Sequence, residues 1–229
     1  MLLLGRYGKK VPFYDGASAY SYINNSGLNF VDGDKVTFEV LVKDQEKDLS
    51  RRRDIMGKSG SSWHNIILMP YTRKIVFQAF YIDSEGNAQY PSVASASGMN
   101  DRSYHHIIIE VEYYSTYAKV KFYIDSRFDN EDTLYYDYPS TSTNKPTIGK
   151  AATLFTGPIP TVRIYNRLLS DHEIRINYIH AKRLEPTPVR DGLLVELVPD
   201  TLDCDNGVWN DNSGNGNNAV LNTGRCIEI

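Results

Sequence analysis

Three groups of side chains in this sequence have the types and spacing to do chemistry. Glu110 and Glu112 stand two apart in YHHIIIEVEYY, so on an extended strand they share one face about 6.5 Å apart. That is near the separation of a paired acid and nucleophile in glycoside hydrolysis. Asp203, Asp205 and Asp211 sit in DCDNG and DNSGN, where clustered hard oxygens suit calcium. The position twelfth from Asp203 is Gly214, where an EF-hand needs Glu. Turn chemistry is therefore the first reading of this stretch, with calcium the one candidate cofactor. The third group is aromatic: Trp63 beside His64 and Asn65, then Tyr71, Tyr90, Tyr135, Tyr136 and Tyr138. Flat rings edged by hydrogen-bonding groups stack on sugar faces. The alternative is that each ring packs beneath a loop.

The histidines make a weaker case. His105 and His106 point to opposite faces of a strand and cannot chelate one ion together, while Trp63-His64 is a single pair. His172 falls in a first helical turn, and His180 falls near a helix end, where a cation suits the dipole. No Ser/His/Asp arrangement, phosphate loop or redox motif stands beside them. Cys204 and Cys226 are clustered with no other cysteine, which favours a disulfide over two free thiols. Such a bond would be worth about 3 kcal/mol by loop closure and would suit an extracellular setting or a hyperthermophile interior. Asn24-Asn25-Ser26 matches a glycosylation sequon.

The elements that must position these groups are mostly strands. In KVTFEVLVK, Val36, Phe38, Val40 and Val42 alternate with Thr37, Glu39 and Lys43, and similar alternation runs through YHHIIIEVEYY and KVKFYID. Residues 115–118 form a hairpin connector, and SWHNIILM and KIVFQAFYI make a second pair across Pro70–Arg73. Many short antiparallel strands with one apolar face each imply two packed sheets. Ser170 to Glu173 reads as a capping box that opens one helix, with Ile174, Tyr178 and Ala181 along its buried side. Two prolines in 185–189 break that helix and stiffen a linker. Residues 190–229 then carry GLLVELV, a Gly/Asn/Asp-rich turn region and AVLNTGRCIEI.

A chain of 229 residues accommodates one large sandwich, or one domain with an appendage. The net charge of −3 gives no global pull toward nucleic acid or an acidic membrane. The run Arg51-Arg52-Arg53 lies among acids and reads as a solvated loop. Three leucines near the N-terminus fall short of a signal-peptide core, and no stretch reaches the length of a membrane helix.

Residues 10–180 resemble the laminin-G-like (concanavalin A-like) jelly-roll family. The resemblance is carried by Tyr104-His105-His106, Tyr123-Ile124-Asp125, Ile148-Gly149, Phe155-Thr156-Gly157-Pro158-Ile159, and Arg163 through Ser170 closing at Glu173-Ile174. Upstream, Tyr14-Asp15-Gly16-Ala17, Val36-Thr37-Phe38-Glu39 and Ile55-Met56-Gly57-Lys58 also fit. The tail, GLLVELVPDTLDCDNGVWNDNSGNGNNAVLNTG, is similar to the segment that usually opens such a domain, here placed after it.

The resemblance implies an all-β, two-sheet antiparallel jelly roll over 1–184 with one short helix near 170–184. A linker at 185–189 follows, and then a tail at 190–229 that completes a sandwich in the same subunit or a neighbouring one, the competing reading being the start of a second domain that stops short. Relatives of this kind often hold calcium. Glycosidases of the same broad fold carry three carboxylates along the strand, whereas here Tyr114 follows Glu112 on that face. The expectation is therefore an exposed polar face without catalysis. The function expected is a non-enzymatic recognition module, carbohydrate-binding or adhesive, for a glycan or glycoprotein surface. No nucleic acid or membrane insertion is expected, and the setting is extracellular or a virion surface. The alternatives are a structural or assembly protein, such as a virion or surface-layer component that forms a homo-oligomer through the tail, and behind it a glycoside hydrolase.

Overall fold

A computed structural model of the chain describes residues 8–48, 50–58, 63–69, 71–99, 101–136, 142–223 and 225–229, with Trp63 described in its backbone. The first strands are β1 (Lys10–Asp15), β2 (Tyr20–Ile23), β3 (Lys35–Val42), β4 (Arg53–Lys58), β5 (Trp63–Leu68) and β6 (Lys74–Ile82). There follow β7 (Ala88–Gln89), β8 (Ser92–Gly98), β9 (His105–Tyr113), β10 (Tyr117–Ile124), β11 (Arg127–Tyr135), β12 (Pro146–Ile148), β13 (Thr156–Pro158) and β14 (Thr161–Tyr165). After helix α1 (Asp171–Lys182) come β15 (Leu193–Leu197), β16 (Leu202–Asp203), β17 (Val208–Trp209), β18 (Ala219–Asn222) and β19 (Arg225–Glu228).

These strands make an all-β sandwich. One sheet has six strands in the order β11-β10-β9-β3-β14-β15, and a larger one runs β16-β17-β18-β2-β12-β4-β5-β6-β7 with β8 also on β6. A small third sheet, β13-β1-β19, brings strands from the start and end of the chain together. The pairings within and between these strands are antiparallel. Phe38 of the six-stranded sheet meets Phe77 of the large one at 6.1 Å between ring centroids, within one apolar core fed by both sheets.

The alternation in β3 does not mark a solvent face. Val36, Val40 and Val42 fill the core between the sheets, while Thr37 and Glu39 on the other side are also fully buried. What covers them is α1. Ile174 of that helix packs with Ile108, Tyr123, Tyr165 and Leu169 in a second apolar cluster on the far side of the six-stranded sheet. The helix begins with the expected box: Ser170 Oγ accepts from Glu173 N at 3.3 Å, and Glu173 Oε2 accepts from Ser170 N at 2.8 Å. The Arg167 guanidinium bonded to Glu173 holds that carboxyl down at about 2.

Two polar assignments change. Glu110 is not on an exposed face. It is 3% exposed, and its Oε1 accepts from Leu169 N at 2.8 Å where the approach to α1 crosses the sheet. Glu112, half-buried, meets Lys35 Nζ at 2.8 Å. The arginine run is a solvated loop only in part: Arg51 is exposed and Arg52 half-buried ahead of the strand, whereas Arg53 opens β4 at 1% exposure and shares Asp44 with the buried Arg73.

The tail pairs within its own chain. β15 extends the six-stranded sheet through β14, β18 joins the large sheet through β2, and β19 joins β1. Residues 185–189 are anchored rather than free: Thr187 N donates to Glu196 Oε1 at 2.7 Å, and its hydroxyl reaches Asn177. Gly149 adopts φ +78, and a Cβ there would strike the buried Tyr14 ring. This accounts for the Ile-Gly step after β12. Among the described residues, no helix is long and apolar enough to cross a membrane.

Candidate functional site

Cross-strand partners share a sheet face, so the register of the large sheet can be followed from strand to strand. One row runs Tyr22, Thr147, Gly57, Asn65, Gln78 and Ser92. The neighbouring row, Ser21, Ile148, Met56, Ile66, Phe77 and Val93, is buried in the sandwich. The first row therefore lies on the outer face. It carries amides and hydroxyls at its centre and rings at both sides.

On one side, the strand YSYI turns Tyr20 and Tyr22 outward by simple alternation. Lys150 Nζ stands 4.3 Å from the Tyr20 ring centroid, and Lys145 Nζ stands 5.0 Å from that of Tyr22. On the other side, the Phe80 and Tyr90 rings lie 5.1 Å apart, and Tyr90 is 56% exposed. Trp63 is the register partner of Phe80.

The polar centre is fixed by Arg52. Its Nε donates to Asp54 Oδ1 at 2.8 Å and its Nη1 to Gln78 Oε1 at 2.9 Å. With the Asn65 amide oriented to donate to His64 O, its oxygen accepts from Arg52 Nη2 at 3.2 Å. The other oxygen of Asp54 accepts from Ala152 N and Thr153 N at 2.6 and 2.7 Å, which pins loop 149–154 beside the centre. Gly57 is required beneath it, because a Cβ would overlap the Asn65 amide and the Ala151 methyl. A guanidinium held from three sides by an acid and two amides is preorganised to hydrogen-bond a ligand without first losing rotamer freedom.

The aromatic residues singled out from sequence scatter over the molecule. Tyr90 comes to this face, while the Trp63 side chain lies outside the described residues. Tyr71, 72% exposed at φ 56, stands at the β5–β6 turn, at the opposite end of the hairpin from Phe80. Tyr135, 70% exposed, lies opposite Tyr117, whose ring stacks on Tyr114 at 4.5 Å. This second aromatic cluster belongs to the other sheet. Tyr136 is corrected to a core residue: it is 3% exposed, and its hydroxyl donates to Tyr114 O at 2.9 Å. Alternation places it inward where Tyr135 points out. Tyr138 lies outside the described residues.

The aspartates do not gather into a calcium set. Asp211 accepts from Glu196 N, Ser213 N, Ser213 Oγ and Asn217 N, and Asp203 accepts from Asn206 N and Nδ2. Asp211 is thus committed to four donors from its own loop and β15, and Asp203 to the turn that follows it. Among the described residues, no three His, Cys, Asp or Glu side chains form a metal-binding group. Cys204 and Cys226 are joined by a disulfide. His105 bridges Asp125 and Asp101 at 2.8 and 2.7 Å, while His106 meets Glu39 at 3.0 Å on the buried side.

Sequence reasoning missed Arg52, Gln78, Phe80, Tyr20, Tyr22 and Thr147. A signal was present in KIVFQAFYI and YSYI, where alternation puts Gln, Phe and Tyr on the polar phase of a strand.

The family described as Concanavalin A-like lectin/glucanases superfamily matches residues 15–175. No curated protein matches the chain. Among solved structures, a Bacteroides ovatus protein named as a candidate carbohydrate-binding protein is similar with a TM-score of 0.64 at 13% identity, over 98% of this chain and 61% of that one. The chain thus spans less than two thirds of that relative. The CBM40 of the Ruminococcus gnavus IT-sialidase, solved with α2,3 sialyllactose, gives a TM-score of 0.52 at 9% identity, over 73% of this chain and 94% of that one. At these identities the likeness is one of fold.

Proposed function

We propose that this chain, which belongs to the Concanavalin A-like lectin/glucanases superfamily, is a non-catalytic binding module that takes a glycan or glycoprotein surface on the outer face of its large sheet. One observation carries this reading. Two ring groups, Tyr20 with Tyr22 and Phe80 with Tyr90, flank a guanidinium already held by Asp54, Asn65 and Gln78. Rings offer flat apolar contact to the C–H faces of a sugar, and the half-buried Arg52 guanidinium and Gln78 amide between them offer hydrogen-bonding groups to its hydroxyls, with Asp54 and Asn65 buried beneath as support. The similar structures named for carbohydrate binding support the same class of ligand. The carboxylate pair that could have supported hydrolysis is engaged elsewhere, with Glu110 on Leu169 N and Glu112 on Lys35. Such a module works outside the cell or on a particle surface, where glycans are displayed.

A glycan array probed with the full chain, with and without EDTA, tests the reading. Binding to a defined set of glycans in both buffers is the expected result. An array on which the wild-type chain binds nothing in either buffer would overturn it.

A further inference from the structure

Between the sheets, at the end closed by Leu28–Phe30, lies a cavity of about 50 Å³. Phe38 from one sheet and Ile66 and Phe77 from the other form its buried walls, and Leu28, Asn29 and Phe30 are its half-buried rim. The His64 ring stacks on Phe77 at 5.1 Å and meets Tyr113 edge-on at 5.2 Å. Two buried polar atoms on this lining have no hydrogen-bond partner: His64 Nε2 and the hydroxyl of Tyr113, a residue only 1% exposed. Orphaned groups of this kind are rare in folded proteins and call for an explanation.

Size and chemistry limit what can answer them. A water-sized centre needs about 10–15 Å³, and a cavity of about 150 Å³ is what holds benzene. This one therefore takes a group of a few heavy atoms and excludes an aromatic ring. A cation is disfavoured because the Lys58 ammonium lines the cavity. A carboxylate is disfavoured because that ammonium already spends its donors on Ser26 O, Leu28 O and Asn29 Oδ1, at 2.8, 3.3 and 2.6 Å. Burial holds the His64 ring down at about 4, so it is neutral near pH 7, and in the tautomer protonated at Nδ1 its unpartnered Nε2 accepts.

We propose that this cavity binds a short neutral amide of acetamido size. Its carbonyl takes the Tyr113 O–H, its N–H meets His64 Nε2, and its methyl lies against the phenyl walls. The inference is independent of the glycan-binding face, which lies on the opposite side of the large sheet. Two sources share this chemistry, a free small amide and the N-acetyl group of an amino sugar.

Methyl-13C-methionine NMR on the full chain tests it, because Met56 lines the cavity while Met69 and Met99 do not. The probes are N-methylacetamide, N-acetylglucosamine and glucosamine. A saturable Met56 shift with N-methylacetamide, unmoved Met69 and Met99, and no response to glucosamine are expected. A shift with N-acetylglucosamine as well assigns the site to N-acetylated sugars, and a shift with the free amide alone assigns it to small amides. Tyr113→Phe should weaken binding about five-fold, the loss of one neutral hydrogen bond, with the Met99 resonance reporting an intact core. His64→Phe supplies the same reading should Tyr113→Phe disturb that resonance. Met56 unmoved by either amide, moved equally by glucosamine, or titrating as in wild type in both variants would overturn the proposal.

Discussion

Arg163 Nε, on β14, donates to Glu196 Oε1 on β15 at 3.0 Å, and neither side chain has any exposed surface. The same guanidinium also reaches Glu39 on β3, so one buried cation ties the tail to the centre of the six-stranded sheet. Around it, Glu39 accepts from Asn177 and His106, and Glu196 accepts from Arg190 and Asn212. Burial alone would raise the Glu39 carboxyl, but Arg163 and His106 bring it down to about 2.

Glu196→Ala should therefore cost about 3 kcal/mol of folding stability, because it leaves Arg163 and Arg190 short of a charged partner. Urea denaturation of the two proteins checks this. An unchanged midpoint would mean that the tail contributes no more than surface contacts.

Loss of the disulfide should be felt as well. The bond closes a separation of 22 residues, worth about 3 kcal/mol in the loop-entropy account. Cys204→Ser paired with Cys226→Ser should lower the urea midpoint correspondingly and leave the far-ultraviolet circular dichroism unchanged. Equal midpoints with and without the bond would contradict that account.

On the proposed binding face, Phe80→Ala and Tyr22→Ala should each weaken glycan binding about ten-fold, the scale of an aromatic anchor in an interface. Tyr71→Ala, at the remote β5–β6 turn, should leave it unchanged. Calorimetric titration with a glycan that scores on the array gives the comparison. Equal losses at Tyr71 and Phe80 would move the site elsewhere.

Acid should destabilise the fold in two stages. The folded chain holds His64 at about 4 against an ordinary 6.5, so between these values the unfolded chain binds the extra proton and stability falls as pH drops. The full effect is about 3 kcal/mol. Glu39, depressed from 4.5 to about 2, adds a second loss as pH falls through that lower window. Urea midpoints measured from pH 7 to pH 3 should show both stages in wild type and only the lower one in His64→Phe.

Much of the frame was legible from residue order. Strands such as β9 and β10 declare themselves by period two, and the capping box at Ser170 marks the helix start, because both signals are local. Glu39 and Arg163 were not legible. A polar residue alternating with valines looks solvent-facing until a helix lies over it, here with Asn177, 138 residues later, bonded to Glu39. Glu110 was misread for the same reason. Tyr136 was recoverable: its neighbour Tyr135 faces solvent, so alternation sends Tyr136 inward. The polar centre of the candidate site could not be read, since Arg52, just ahead of β4, meets Asn65 and Gln78 only through the register of β4, β5 and β6.

The pairing of β1 with β19 sets how the fold carries tension. Lys10 lies opposite Glu228, and Gly8 N donates to Ile229 O, so the two ends leave side by side. A pull that separates them loads the pairs one after another, as in a zipper, rather than all at once in shear. The peeling has few steps to run before it reaches Cys226, opposite Pro12. There the covalent bridge to Cys204 diverts the load past residues 205–225. The loop between the cysteines can then be neither stretched nor unravelled from the C-terminal end, and the bridge acts as a mechanical stop.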